Sequence, residues 1–373
     1  DYALANEILN KIAHQLRREH PACHVRAIDW GPWDGGMVTP TLKRLMARRG
    51  IEVIPIEAGA DIFAADLASD ADAAQIVVGS ALAAPARPPE DHLRTYRLHR
   101  RLSLEANPFL RDHVIGGSAV LPTVCAVGWI ANACEQLYPG YTFVRAWEYK
   151  ALKGIVFDES LADEYVLTLE ETAKCADEII FKAIVSSQTE AQRPRYHYSV
   201  EITLRRELPD PPRYPGVNLA ATHEIAGAQL YGNTPRFHGP AFQGVDRLLN
   251  IGPDALAMRC LPPEVSCETQ GQFPIQSFNP YLTDAQLQSL LIWATHTYGY
   301  GGLPLKIQEG KQFRPVPPGE PVYVSMTVQS SSEQKLVADV IAHDADGLVY
   351  SQVSGAEITL SPRLNQLFAQ NQL

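Results

Sequence analysis

Apolar residues recur at helical spacing over residues 2–18, where Leu4, Ile8, Leu9, Ile12 and Leu16 form one stripe. Residues 24–30 then read as a strand, ended by the Gly31-Pro32 pair. Two further helical stretches, near residues 41–49 and 59–68, precede a short apolar strand at 75–78. Helix and strand in alternation predict an α/β segment, but two strands are too few for a complete doubly wound sheet.

Beyond residue 90 the pattern changes. A long apolar helix at residues 122–137 is followed by alternating strands at 164–169, 178–184 and 196–204. The same plan recurs later, with a helix at 283–298 and strands at 321–328, 336–341 and 348–358. One long helix under an antiparallel sheet, given twice, predicts an α+β fold duplicated in plan and not in letters.

Two proline-rich stretches, residues 84–89 and 208–215, punctuate these blocks and read as linkers, because proline supplies no N–H to a helix or sheet. They leave blocks of 83, 118 and 158 residues. The sequence starts without Met, which suggests a segment of a longer chain.

Charge and composition narrow the function. There are 32 Lys and Arg against 42 Asp and Glu, a formal net charge of −10, which argues against a general nucleic-acid binder needing a basic face. No apolar run approaches the roughly 18–20 residues of a membrane span. Six cysteines without a CxxC pair argue against both a disulfide framework and a zinc site, and they predict small buried apolar side chains in a reducing cytoplasm.

Three local patterns carry chemistry. His113, Gly117 and Pro122 fall in the order H-x-x-x-G-x-x-x-x-P. A histidine suits a general base, and Pro122 would occupy the first turn of the helix that follows, whose free N–H groups could meet a carbonyl oxygen. A plain loop histidine before a helix would show the same spacing. Asp284 and Gln288, four apart, would share a face at the start of the second long helix, although an acid at a helix start can simply answer the dipole. His238, Gly239 and Pro240 form a turn between Phe237 and Phe242, which is either the wall of a narrow cleft or an ordinary connection.

Together these patterns resemble the dehydratase domain of type I polyketide synthases and related fatty acid synthases, over roughly residues 95–362. The resemblance implies a double hotdog, with a first hotdog at 95–207, a proline-rich linker at 208–222 and a second hotdog at 223–362. It implies that His113 is the catalytic base and Asp284 the catalytic acid, that Gln288 steadies Asp284, and that Gly117, Pro122, His238, Gly239 and Pro240 shape or bind at the substrate tunnel. The family's tyrosine is His238 here, its glycine after the proline is Thr123, and its histidine before the proline of the Asp motif is Asn279. Residues 121–129 look more like iterative systems, such as polyunsaturated fatty acid or enediyne synthases.

Residues 1–83 resemble the C-terminal part of a polyketide synthase ketoreductase, with Tyr2 and Asn6 in its Y-x-x-x-N segment and residues 25–38 matching the strand and lid that follow. The glycine-rich dinucleotide turn would lie upstream, so NADPH would serve only a complete ketoreductase.

The resemblance thus implies dehydration of a β-hydroxyacyl thioester with no metal and no cofactor, the substrate being carried on the phosphopantetheine arm of an acyl carrier protein. The partners implied are that carrier and the other domains of a parent synthase, with a homodimer left open, and neither nucleic acid nor membrane. Two alternatives stay open: a catalytically silent domain serving shape or docking, and part of an NADPH-dependent ketoreductase.

Overall fold

The computed structural model describes residues 2–20, 23–36, 38–48, 51–68, 73–79, 92–189, 193–232, 237–317 and 319–369. The chain divides into two compact units, residues 1–87 and 88–373. The expected linker at 84–89 lies outside the described residues.

The first unit runs α1 (Tyr2–Glu19), β1 (Ala27–Trp30), α2 (Pro40–Arg48), α3 (Ile56–Leu67) and β2 (Gln75–Val78). β1 and β2 pair in parallel, with Ala27 opposite Gln75 and Trp30 opposite Val78. A parallel pair needs a long crossover, and α2 and α3 supply it. The apolar stripe of α1 is left uncovered: Leu4, Ile8, Leu9 and Ile12 are all exposed, while Asn10 and Ala13 are buried. Asn10 bonds Asp29 of β1 at 3.3 Å.

The first half of the second unit comprises β3 (Thr95–Arg100), β4 (Val114–Ile115), β5 (Ser118–Val120), α4 (Thr123–Leu137), β6 (Thr142–Ala151), β7 (Val156–Phe157), β8 (Tyr165–Lys174), β9 (Glu178–Gln188) and β10 (Pro194–Arg205). Its second half comprises β11 (Ile225–Ala226), α5 (Gly227–Gly232), β12 (Val245–Ile251), β13 (Ala255–Cys260), α6 (Cys267–Gln270), α7 (Pro280–Tyr298), β14 (Gly302–Gln312), β15 (Val322–Ser332), β16 (Lys335–His343) and β17 (Val349–Leu360), then α8 (Pro362–Ala369).

Twelve of these strands form one sheet in the order β11-β12-β13-β15-β16-β17-β14-β6-β10-β9-β8-β3. The halves meet at an antiparallel seam of β6 on β14, with Tyr149 opposite Ile307 and Ala146 opposite Gly310. Outward from the seam, β6-β10-β9-β8 mirrors β14-β17-β16-β15. In chain order each half gives a long helix, then the seam strand, then the other three. This is a double hotdog, duplicated in topology as the two runs of helix and strands predicted.

α4 and α7 are the helices inside the two halves, and they also touch each other. α4 is buried from Val124 to Cys134, which explains its apolar composition on every side. α7 is equally buried but carries Asp284, Gln286, Gln288 and Ser289 inside. Polar groups at such depth need partners, and most of these have them.

Several expectations need correction. α7 begins at Pro280, with Asn279 as its cap accepting from the N–H groups of Tyr281 and Leu282 at 3.0 and 3.2 Å. Asp284 therefore sits in the second turn, not at the helix start. Pro122 caps α4 in extended conformation instead of occupying its first turn. Three of the six cysteines (Cys23, Cys175 and Cys267) are exposed. The expected proline-rich linker is held to the sheet: Tyr214 and Val349 donate backbone bonds to Gly347 and Pro212 at 2.8 and 3.0 Å, beside the start of β17. Beyond the expected end of the second hotdog at 362, α8 packs back on this unit. Asn365 bonds the N–H of Gly301 and the carbonyl of Gly299, and Phe368 is buried against Phe237.

Candidate active site

The hairpin β4–β5 turns through Gly116 and Gly117, whose φ angles are +63° and +82°. A two-residue turn with both angles positive favours glycine twice over. It returns Val120 to His113. The Val120 N–H donates to the His113 carbonyl at 3.0 Å. The His113 ring donates from Nδ1 to the Val120 carbonyl at 2.8 Å. A carbonyl can only accept, so Nδ1 carries the proton and Nε2 keeps its lone pair. Burial pushes the His113 imidazole down to about 4, against its ordinary value near 6.5. The ring is neutral at pH 7.

The second half delivers residues 237–239 alongside this segment. His113 and His238 form an antiparallel bridge. The Val114 N–H donates to Phe237 at 3.2 Å, and the Gly239 N–H donates to Asp112 at 2.7 Å. The Asp112 carboxylate accepts from the Ala241 N–H at 3.0 Å. A Cβ on Gly239 would lie 2.8 Å from the Asp112 Cα, so only glycine permits this approach. The His113 ring meets the rings of Phe237, Phe242 and His238 at centroid distances of 5.0, 5.5 and 5.7 Å.

α7 supplies the acid. Asp284 Oδ2 lies 3.5 Å from His238 Nε2. It accepts from the Gln288 amide at 2.7 Å, one turn on. That amide also donates to the Phe242 carbonyl at 2.7 Å, and its oxygen accepts from the Tyr231 hydroxyl at 2.7 Å. Burial lifts the Asp284 carboxyl to about 7, the Gln288 bond opposing the rise.

These groups surround a cavity of about 260 Å³, walled by apolar side chains such as Leu121, Leu287, Leu291 and Leu305. His113, His238, Asp284 and Gln288 all line it. Gly117, Pro122, Gly239 and Pro240 are not among the lining residues; they lie in the turns and the helix cap next to them. Phe237, which flanks the turn expected at a cleft wall, and Thr123, which follows Pro122, line the cavity, and so do Tyr198 and Leu303, which no local pattern marks. Tyr231 and Asp112 hold Gln288 and Ala241 from 57 and 129 residues away, and no local pattern could have marked them. Tyr2 and Asn6 lie one turn apart at the start of α1, in the other unit. Among the described residues, no group of His, Cys, Asp or Glu could hold a metal ion, and no helix is long and apolar enough to cross a membrane.

A neutral histidine with a free Nε2 and a carboxyl that can stay protonated, both facing one apolar cavity, can accept one proton and donate another.

Residues 84–185 match the family described as polyketide synthase dehydratase domain, and residues 215–367 match polyketide synthase dehydratase N-terminal domain. A polyunsaturated fatty acid synthase polypeptide of Thraustochytrium sp. is 34% identical over 331 residues, covering 87% of this chain. The chain spans 11% of the length of that relative. The polyketide synthase GfsA of Streptomyces halstedii is 50% identical over 54 residues, 14% of this chain and 1% of its own. Among solved structures, a trans-AT polyketide synthase dehydratase domain from Brevibacillus brevis aligns with a TM-score of 0.55 and 17% identity, covering 72% of this chain and 94% of that one. The dehydratase domain of the CurJ module of curacin polyketide synthase aligns at 0.56 and 16%, with the same coverage. These two share the double-hotdog fold.

Proposed function

We propose that the double hotdog, a dehydratase domain of the polyketide synthase kind by both family matches, removes water from a β-hydroxyacyl thioester held on an acyl carrier protein. His113 Nε2 takes the proton from the α-carbon. Asp284, protonated, hydrogen-bonds the β-hydroxyl and gives it a proton as water departs and the α,β double bond forms. The start of α4 beside Thr123, where the first N–H groups have no partner within the helix, faces the thioester carbonyl and steadies the charge that builds there. The apolar walls keep Asp284 neutral enough to act as an acid. No metal or nucleotide enters this chemistry; the carrier supplies the phosphopantetheine arm, and the other domains of a parent synthase, in the cytoplasm, supply the substrate and receive the enoyl product.

The observation that carries this reading is the pairing of a neutral, Nδ1-anchored His113 with an acid raised to about 7 on one cavity wall. The test is incubation of the chain with a β-hydroxyacyl pantetheine thioester and no nicotinamide. Enoyl product is expected. Its absence, with the fold intact, would leave a silent domain of shape or docking.

For the first unit, we infer the C-terminal fragment of a ketoreductase. The parallel pair β1–β2, joined through helices, and the exposed apolar stripe of α1 support this reading, since parallel sheets and the helices on them are ordinarily covered. Tyr2 and Asn6 would act only in the complete domain with NADPH. Consumption of NADPH with a ketoacyl substrate by this chain alone would overturn that reading.

A further inference from the structure

α7 presents two faces to two different spaces. Asp284, Leu287, Gln288 and Leu291, at spacings of three and four, face the catalytic cavity. Asn279, Leu282, Thr283 and Gln286 form a second stripe, centred roughly 140° away at 100° per residue. This stripe lines a separate cavity of about 60 Å³, closed by α4 and by the seam strands β6 and β14. The space is several times the ~10–15 Å³ that a single water needs. Its walls include Val124, Val127, Phe143, Phe278 and Ile307, and Thr123 at the start of α4 lines both cavities.

Three residues lining this slot, Tyr149, Gln286 and Arg314, carry a buried polar atom without a hydrogen-bond partner among the described residues, and of these Gln286 alone lies on α7. Gln286 is fully buried, at 0% exposure. Its side-chain oxygen accepts from the Ser351 hydroxyl at 3.1 Å. Its Nε2 has no hydrogen-bond partner among the described residues. Gln288, one half-turn on, shows the contrast: both ends of its amide are bonded. A buried amide N–H without a partner is unfavourable, and such groups are rare in folded proteins. Here the unmet donor lines a cavity that abuts the catalytic one.

We propose that this second cavity receives the distal part of the acyl chain, past Thr123, and that Gln286 selects chains carrying an oxygen there by donating from Nε2 to a carbonyl or hydroxyl. The proposal rests on the dehydratase reading for the origin of the chain. The ligand class is a thioester-linked acyl chain that is apolar apart from an oxygen substituent beyond the β-carbon. A hydrocarbon tail fills the slot but leaves the amide unmet, so the site discriminates by polarity as well as by length.

The test uses binding, which does not depend on turnover. Non-reactive amide analogues of acyl-pantetheine are prepared in pairs of equal length, one saturated and one with a keto or hydroxyl group at successive positions beyond the β-carbon. Calorimetry on the full chain is expected to show one oxygenated analogue bound roughly tenfold more tightly than its saturated partner, the net value of one hydrogen bond. In Gln286→Leu that preference disappears while the saturated analogue binds as before or better. Gln286→Met, unbranched and of similar volume, serves if the leucine variant melts early. Equal affinities for both analogues in the wild-type protein, as when an internal water already satisfies Nε2, overturn the proposal. So does a preference that survives both substitutions, or failure of every analogue to bind. Loss of enoyl formation from a β-hydroxyacyl substrate bears on the dehydratase reading alone.

Discussion

The ring of His113 and the carbonyl of Val120, seven residues apart, are tied by a 2.8 Å hydrogen bond across the hairpin that the Gly116-Gly117 turn closes. That bond decides which nitrogen holds the proton and leaves Nε2 with its lone pair, as the proposed base requires. His113→Ala and Asp284→Asn are each expected to lower water elimination by about 10²–10⁴-fold, the usual contribution of a general acid or base, with the circular dichroism spectrum unchanged. Turnover within a few-fold of wild type in either variant removes that residue from the mechanism.

Asp284→Asn carries a second expectation. The folded carboxyl titrates at about 7, above its ordinary value of 3.8. Above pH 7 the wild-type fold must hold a buried charge that the unfolded chain carries in water. The stability the neutral acid contributes is fully present below about pH 4 and is lost as pH rises through 7. The asparagine variant should therefore be more stable than wild type at pH 8, by about 1.4 kcal/mol for each pH unit between the two pKa values. The difference should vanish near pH 4. Urea midpoints at the two pH values measure it, and an advantage independent of pH would contradict the assignment.

The pH profile of kcat/KM for elimination is expected to be bell-shaped. It falls below about pH 4 as His113 takes up a proton, and above about pH 7 as Asp284 loses its own. A profile still rising through pH 8 would mean that Asp284 is not the acid.

Gln288→Leu separates positioning from chemistry. The Gln288 amide bond holds the Asp284 pKa lower than burial alone would set it. Its removal should move the alkaline limb of the profile upward. It also leaves the Tyr231 hydroxyl and the Phe242 carbonyl without this partner, at a cost of about 1–3 kcal/mol each in stability. A lower melting temperature with an unmoved limb would make Gln288 purely structural.

His238 is tested by shape and by donor. Its Nε2 faces Asp284 at 3.5 Å in the cavity wall. His238→Tyr, which keeps a donor, should retain most activity. His238→Phe should lose about tenfold to a hundredfold, from a polar group left unpaired in the transition state. Equal turnover in all three proteins would mean that His238 does not touch the reaction.

The last expectation concerns the end of the domain. A chain starting at residue 88 and ending at 369 should fold and retain elimination. One ending at 361 loses α8, and with it the Phe368 ring that packs at a tilt against Phe237, centroids 4.7 Å apart. Removing a buried phenylalanine typically costs about 3–5 kcal/mol, so the shorter chain should melt well below the longer one. Equal melting temperatures would show α8 to be dispensable.

Much of this protein is written in its linear pattern. The two long helices show as apolar stretches because each is enclosed on all sides, and the strands of both halves show as alternation because one face of each is buried. His113, Asp284, Gln288 and His238 stand in short patterns of glycine, proline and i,i+4 spacing, each of which alone also fits an ordinary loop, turn or helix start; the resemblance of the three together to a known family is what singled them out. What only tertiary structure decided depends on separation along the chain. Residues 112–114 meet residues 237–239, and Asp284 acquires its pKa from walls contributed by both halves. Burial is a property of the assembled cavity, so no motif predicts that one carboxyl titrates near 7. The same holds for Gln286 and Gln288. They are the same residue type two positions apart, and only the roughly 200° between them on the helix leaves one amide fully bonded and the other open.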